Sequence, residues 1–140
     1  MRLHQIRRNC SPFAMAVIFV TVISIPTAID SAIAQDMNYE GYLADVLCAE
    51  RGTALDGADM TKHPEKHSVA CLKEPPCMAS GFGILIKNKD AGYTFHKFDQ
   101  KGNQLVKDLL AKTKKIDNMT VAVMGQIKDG IVGVSSISEK

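Results

Sequence analysis

The sequence predicts a mainly β fold, a five-stranded β-barrel with one amphipathic helix and a long first loop that carries cysteine and histidine. Three observations predict it. Short runs of alternating apolar residues, separated by turn-forming residues, recur between residues 38 and 138. A single apolar stripe at helical spacing (Leu105, Val106, Leu109, Leu110) interrupts them. Residues 49–80 follow neither period and are rich in Gly, Pro, His, Lys and Asp.

Ahead of this domain, Arg2, Arg7 and Arg8 precede an apolar run over residues 13–25, and Ser31-Ala32-Ile33-Ala34 ends in small side chains. That order is a signal peptide with cleavage after Ala34, so residues 1–34 are the signal and 35–140 one domain, exported to the periplasm or secreted. The apolar run is short against the roughly 20 residues of a spanning helix, and Pro26 and Asp30 end it, so no membrane span is expected after cleavage. The chain has 17 basic and 15 acidic residues; without Arg2, Arg7, Arg8 and Asp30 the numbers are equal. A neutral domain lacks the electrostatic footprint of a nucleic-acid binder. The partners left open are a small ligand, a protein or an envelope component.

The first strand is expected over residues 38–47, with Tyr42, Ala44 and Val46 on one face and Cys48 closing it. Residues 49–80 hold at most one short helix, starting near Pro64, which suits a first helical position. Residues 82–87 and 93–98 pair as antiparallel strands across Asn88-Lys89-Asp90-Ala91-Gly92. His96 is expected to face solvent, opposite Phe95. Asn103 reads as the N-cap of the amphipathic helix, which ends at Lys112, Lys114 and Lys115. Met119, Val121, Val123 and Ile127 mark a fourth strand, Lys128-Asp129-Gly130 a turn, and residues 131–138 the fifth strand. The order β-β-β-α-β-β is that of the OB-fold, a five-stranded Greek-key barrel.

Of the four cysteines, Cys10 leaves with the signal, and Cys48, Cys71 and Cys77 all fall between the first two strands. His67 lies four residues before Cys71, one turn away if a helix forms there, and Glu74-Pro75-Pro76 reads as a sharp turn that folds Cys77 back. Cys48, His67, Cys71 and Cys77 together form the donor set of a tetrahedral Cys3His site for zinc or another transition metal. A single disulfide is the structural alternative, since exported thiols oxidise and a bridge stabilises a small core by roughly 2–4 kcal/mol; it leaves one thiol over. A third reading is thiol catalysis or redox chemistry, with His67 lowering the pKa of Cys71. No C-x-x-C pair, G-x-S-x-G elbow or C-x-x-C-H haem motif accompanies it. No catalytic residue is assigned. His63 is an exposed loop residue or a substitute for His67, and Asp45 caps the loop or supports a ligating histidine.

The pattern Gly41-Tyr-Leu-Ala-Asp45-Val-Leu-Cys48, His67-x3-Cys71, Cys77-Met-Ala-Ser80-Gly81-Phe-Gly83 and Phe95-x2-Phe98-Asp99-x2-Gly102-Asn103 resembles a group of small exported bacterial proteins of unknown function. The resemblance covers nearly all of residues 35–140. It implies a shared structural or ligand-holding role for the three cysteines and His67, and it brings no activity with it.

Overall fold

Alternation of apolar side chains builds five strands: β1 (Met37–Asp45), β2 (Phe82–Lys87), β3 (Tyr93–Phe98), β4 (Thr120–Lys128) and β5 (Ile131–Glu139). The computed structural model describes residues 35–90 and 92–140; the expected signal peptide lies outside the described residues. The strands close into a ring in the order β1-β2-β3-β5-β4. Four of the junctions are antiparallel, and the closing one, β3 with β5, is a short parallel pairing of Lys97 with Ile131 and Phe98 with Val132.

Both hairpins follow local turn chemistry. Asn88 accepts from the N–H groups of Asp90 and Gly92 through its side chain. Between β4 and β5, Asp129 (φ 52°) and Gly130 (φ 79°) are both left-handed, the conformation of a two-residue hairpin whose twist matches the strands.

Among the described residues there are four helices: α1 (Val46–Arg51), α2 (Val69–Leu72), α3 (Pro75–Ser80) and α4 (Gln100–Lys112). A 3-10 turn occupies Pro64–Lys66. The first loop therefore holds more helix than the one short element expected. Strand β1 stops at Asp45 instead of reaching residue 47, because the Asp45 carboxylate accepts from Cys48 N–H at 2.9 Å and starts α1 there. Val46 consequently leaves the face it was expected to share with Tyr42 and Ala44, and Cys48 sits in a helix. Glu74-Pro75-Pro76 is a helix start, since prolines at the first two positions lack only N–H groups that no helical partner would accept. The N-cap of α4 is Asp99, which accepts from Gly102 N–H at 2.7 Å. Asn103, one turn in, ties the helix to the sheet by accepting from Phe82 N–H at 2.6 Å and donating to the carbonyls of Phe98 and Asp99.

Strand pleating places two cores on the two sides of β1 and β2. Inside the ring, Leu43, Phe82, Ile84, Phe98, Val121, Val123, Val132 and Val134 pack with Val106 and Leu110 of α4. On the outer side, Ala44 and Leu85, flanked by half-buried Tyr42, Tyr93 and Phe95, pack under the first loop through Cys48, Ala54, Ala58, Met60, Cys71 and Cys77. Tyr42 and Tyr93 meet edge to face, 5.7 Å between centroids. His96 pairs with Ile84 in register, so it shares the inner side and is half-buried, while Phe95 takes the outer side; this reverses the expected orientation.

Gly83 sits where this outer packing is tightest. A Cβ there would lie 2.6 Å from the Phe95 ring and would collide with the His96 carbonyl. Gly83→Ala is expected to cost about 1–3 kcal/mol by overpacking, read as a lower urea midpoint; an unchanged midpoint would mean that Phe95 does not cover this position.

Candidate metal centre

The cysteine segment folds through short polar contacts. Asp45 caps α1, and Gly52 (φ 73°) ends it in the left-handed conformation that glycine tolerates. The first amides of α1 are fastened to the end of α3: Val46 N–H donates to Gly81 C=O at 2.9 Å and Leu47 N–H to Ser80 Oγ at 3.2 Å. These ties bring Cys48 on α1 beside Cys77 on α3, Sγ to Sγ 3.9 Å. Ser68 caps α2 by accepting from Cys71 N–H at 3.1 Å. Its own N–H and O–H donate to Asp56 at 2.8 and 2.7 Å, so the loop before His67 is pinned to the start of α2.

The ligand atoms of Cys48, Cys71 and Cys77 all lie within 4.8 Å of one another. Two further groups meet the same limit, Asp45 with Cys48 and His67, and Asp56 with His67 and Cys71. Three of the four residues expected from sequence, Cys48, Cys71 and Cys77, fall in one group, while His67 falls in the other two, with Cys48 in one and with Cys71 in the other; among the described residues no group holds all four. The expected reason for the His67–Cys71 proximity is corrected: His67 is extended (φ −66°, ψ 118°) and lies before the Ser68 cap, outside α2. His63 is exposed, paired with Glu65 at 3.0 Å, and belongs to none of the three groups.

Burial is nearly complete: Asp45, Cys48 and Cys77 are 0 % exposed, His67 1 % and Cys71 4 %. Among the described residues, all three cysteines are free thiols. Neither ring nitrogen of His67 has a hydrogen-bond partner, nor has Asp45 Oδ2. His67 Nε2 and Asp45 Oδ2 face each other at 3.5 Å, within ion-pair reach yet long for a hydrogen bond. Each such buried polar atom costs about 1–3 kcal/mol if nothing satisfies it. Three of them lie beside the three thiols, in groups whose donor atoms could hold a metal ion.

The electrostatics fit a ligand set better than a nucleophile. Burial pushes His67 below its ordinary pKa, against the opposing pull of Asp45 and Asp56, so the imidazole is held in the neutral form a metal requires. Burial, aided by the Asp45 charge, pushes the Cys77 thiol up to about 12. Cys48 is raised further, mainly by burial. Although partial burial opposes it, hydrogen bonds from Ser68 and Ala58 hold Asp56 below the usual carboxylate range.

Asp45 takes the capping role considered for it, through Oδ1, and its Oδ2 faces His67 Nε2 at 3.5 Å. Asp56 is the residue that sequence reasoning missed, because Leu55-Asp56-Gly57 reads as an ordinary turn and its contact with Ser68 spans 12 residues. Compared with protein-family models, curated proteins and solved structures, the chain matches none.

The raised thiols give a direct expectation. In metal-free protein, alkylation of Cys77 should rise about tenfold per pH unit without levelling between about pH 7 and pH 10, following the thiolate fraction. A plateau near neutral pH, followed by peptide mass spectrometry, would instead mean an activated thiol and restore the catalytic reading.

Proposed function

We propose that the chain is a small exported binding module whose first inter-strand segment is built around one transition-metal ion, held by Cys48, His67, Cys71 and Cys77. The observation that carries this reading is the buried His67, both ring nitrogens unpartnered, within 4.8 Å of the buried thiols of Cys48 and Cys71, which in turn group with Cys77. Zinc fits the spacing. Two thiolates about 2.3 Å from a tetrahedral zinc stand about 3.8 Å apart, and Cys48 and Cys77 stand 3.9 Å apart. Four protein ligands would fill the coordination sphere, as in structural rather than catalytic zinc sites.

Asp45 completes the arrangement. With His67 Nε2 facing its carboxylate at 3.5 Å, a proton carried on Nε2 is turned toward Asp45 and leaves Nδ1 as the ligating nitrogen. Export is supported by the charge, apolar run and small residues of 1–34, and an OB-like barrel by the order of the five strands around α4. The apolar part of the outer β1-β2-β3 face is already packed against the cysteine segment, which weighs against a free barrel face as the binding surface of a merely stapled domain.

Native mass spectrometry with thiol counting tests the proposal. The expected result is a native mass higher by one metal ion, with three alkylatable thiols once the chain is denatured. A mass lower by two hydrogens, with a single alkylatable thiol and no metal, would overturn it in favour of a disulfide staple. His67→Ala should abolish metal retention. Asp45→Asn keeps an N-cap residue on α1 and should weaken metal binding by about 10–100-fold; equal affinity by competition with a chelator would remove Asp45 from the centre.

A further inference from the structure

Beside the proposed centre, the protein surface opens into a cleft of about 280 Å³ lined by Leu55, Asp56, Ser68, Ala70, Cys71 and Glu74. Of the four proposed ligands, Cys71 alone lines it. The cleft carries two carboxylates and no lysine or arginine among these residues, so its charge favours a cation. It also borders the second ligand group: Asp56, His67 and Cys71 lie within 4.8 Å of one another, and two of these three belong to the buried set as well. Asp56 is exposed and held in place by Ser68 and Ala58, so its carboxylate is positioned before any ion arrives. His67 lies between the two carboxylates, Asp45 on the buried side and Asp56 on the exposed side.

We propose that this cleft is the port through which a divalent cation loads into and leaves the centre, with Asp56, His67 and Cys71 as the first ligands it meets. This rests on the metal reading above. The cation then exchanges Asp56 for the sulfurs of Cys48 and Cys77 while keeping His67 and Cys71. The two thiols give up their protons to solvent as their sulfur–metal bonds form, and no oxidation or reduction is involved. Two shared ligands mean that the ion is never released between the outer and inner sets.

The test is stopped-flow loading of the reduced protein with cobalt(II), followed by thiolate-to-metal absorbance, and stripping of the loaded protein by excess chelator. Asp56→Asn removes the charge while keeping an acceptor for the loop. Glu74→Gln removes the second charge at a position whose side chain makes no cap hydrogen bond, so it keeps the test decisive if the first variant does not fold. The expected result is loading slowed about tenfold in Asp56→Asn and less in Glu74→Gln, with one cobalt still bound and the loading rate of the unaltered protein falling as salt rises. Asp56→Glu should restore fast loading. Unchanged loading in both variants, or an affinity loss in Asp56→Asn carried wholly by faster release, would overturn the port. Failure of the unaltered protein to take up cobalt at all would overturn the metal centre itself.

Discussion

The carboxylate of Asp45 holds together two structures with different requirements, the end of a strand and a buried polar cluster. One oxygen accepts from Cys48 N–H and turns the chain from β1 into α1; the other stands 3.5 Å from His67. A fully buried carboxyl group is costly unless its oxygens find polar neighbours. Here the neighbours are the Cys48 N–H, the His67 imidazole and the thiols of Cys48 and Cys77, so the direction of α1, the placement of Cys48 and the orientation of His67 are coupled through a single side chain. Removing the cap would also release the ties from α1 to Ser80 and Gly81 that set Cys48 beside Cys77.

The cysteine segment forms a satellite core that shares a wall with the ring. Because neighbouring residues of β1 and β2 point to opposite sides, Leu43 and Ile84 serve the inner core while Ala44 and Leu85 serve the outer one. That is why β2 is apolar along Phe82-Gly83-Ile84-Leu85 instead of alternating. The satellite is made largely of alanines, cysteines and Met60, side chains that bury little area each. At about 25 cal/mol per Å² such a cluster contributes modestly. A bound ion linking α1, His67, α2 and α3 would supply part of the folding free energy of this segment.

Local chemistry was legible in the sequence wherever it was decided locally. The hairpins at Asn88 and at Asp129-Gly130, and the stripe of α4, follow from residues within one turn of each other. The start of α4 was not, because Asp99 and Asn103 are both good caps; Asp99 wins at the end of β3, and Asn103 is drawn to Phe82 N–H, 21 residues away. Val46-Leu47-Cys48 continues the apolar run of β1, and nothing but the capping geometry of Asp45 shows that the strand has ended. The four residues of the cluster were legible by type, since soft donors gathered in one loop suggest a shared partner. The means by which His67 reaches Cys71 was not, because it depends on the Asp56–Ser68 contact across the loop.

A closed four-ligand centre and an exchangeable one are usually alternatives, since full coordination and burial slow release. The centre proposed above would combine features of both. Cys48 and Cys77 are fully buried and their protonated forms are favoured by the same burial, so in the metal-free state they are poor nucleophiles and poor first ligands. An ion approaching them directly would have to displace protons from fully buried thiols. Asp56, held below the usual carboxylate range, and His67, held in its neutral form, would impose no such step on the proposed route. On the proposed reading, the gradient from exposed oxygen to buried sulfur would order ligand exchange: a hard donor would capture the hydrated ion, and soft donors would retain it once its water is lost.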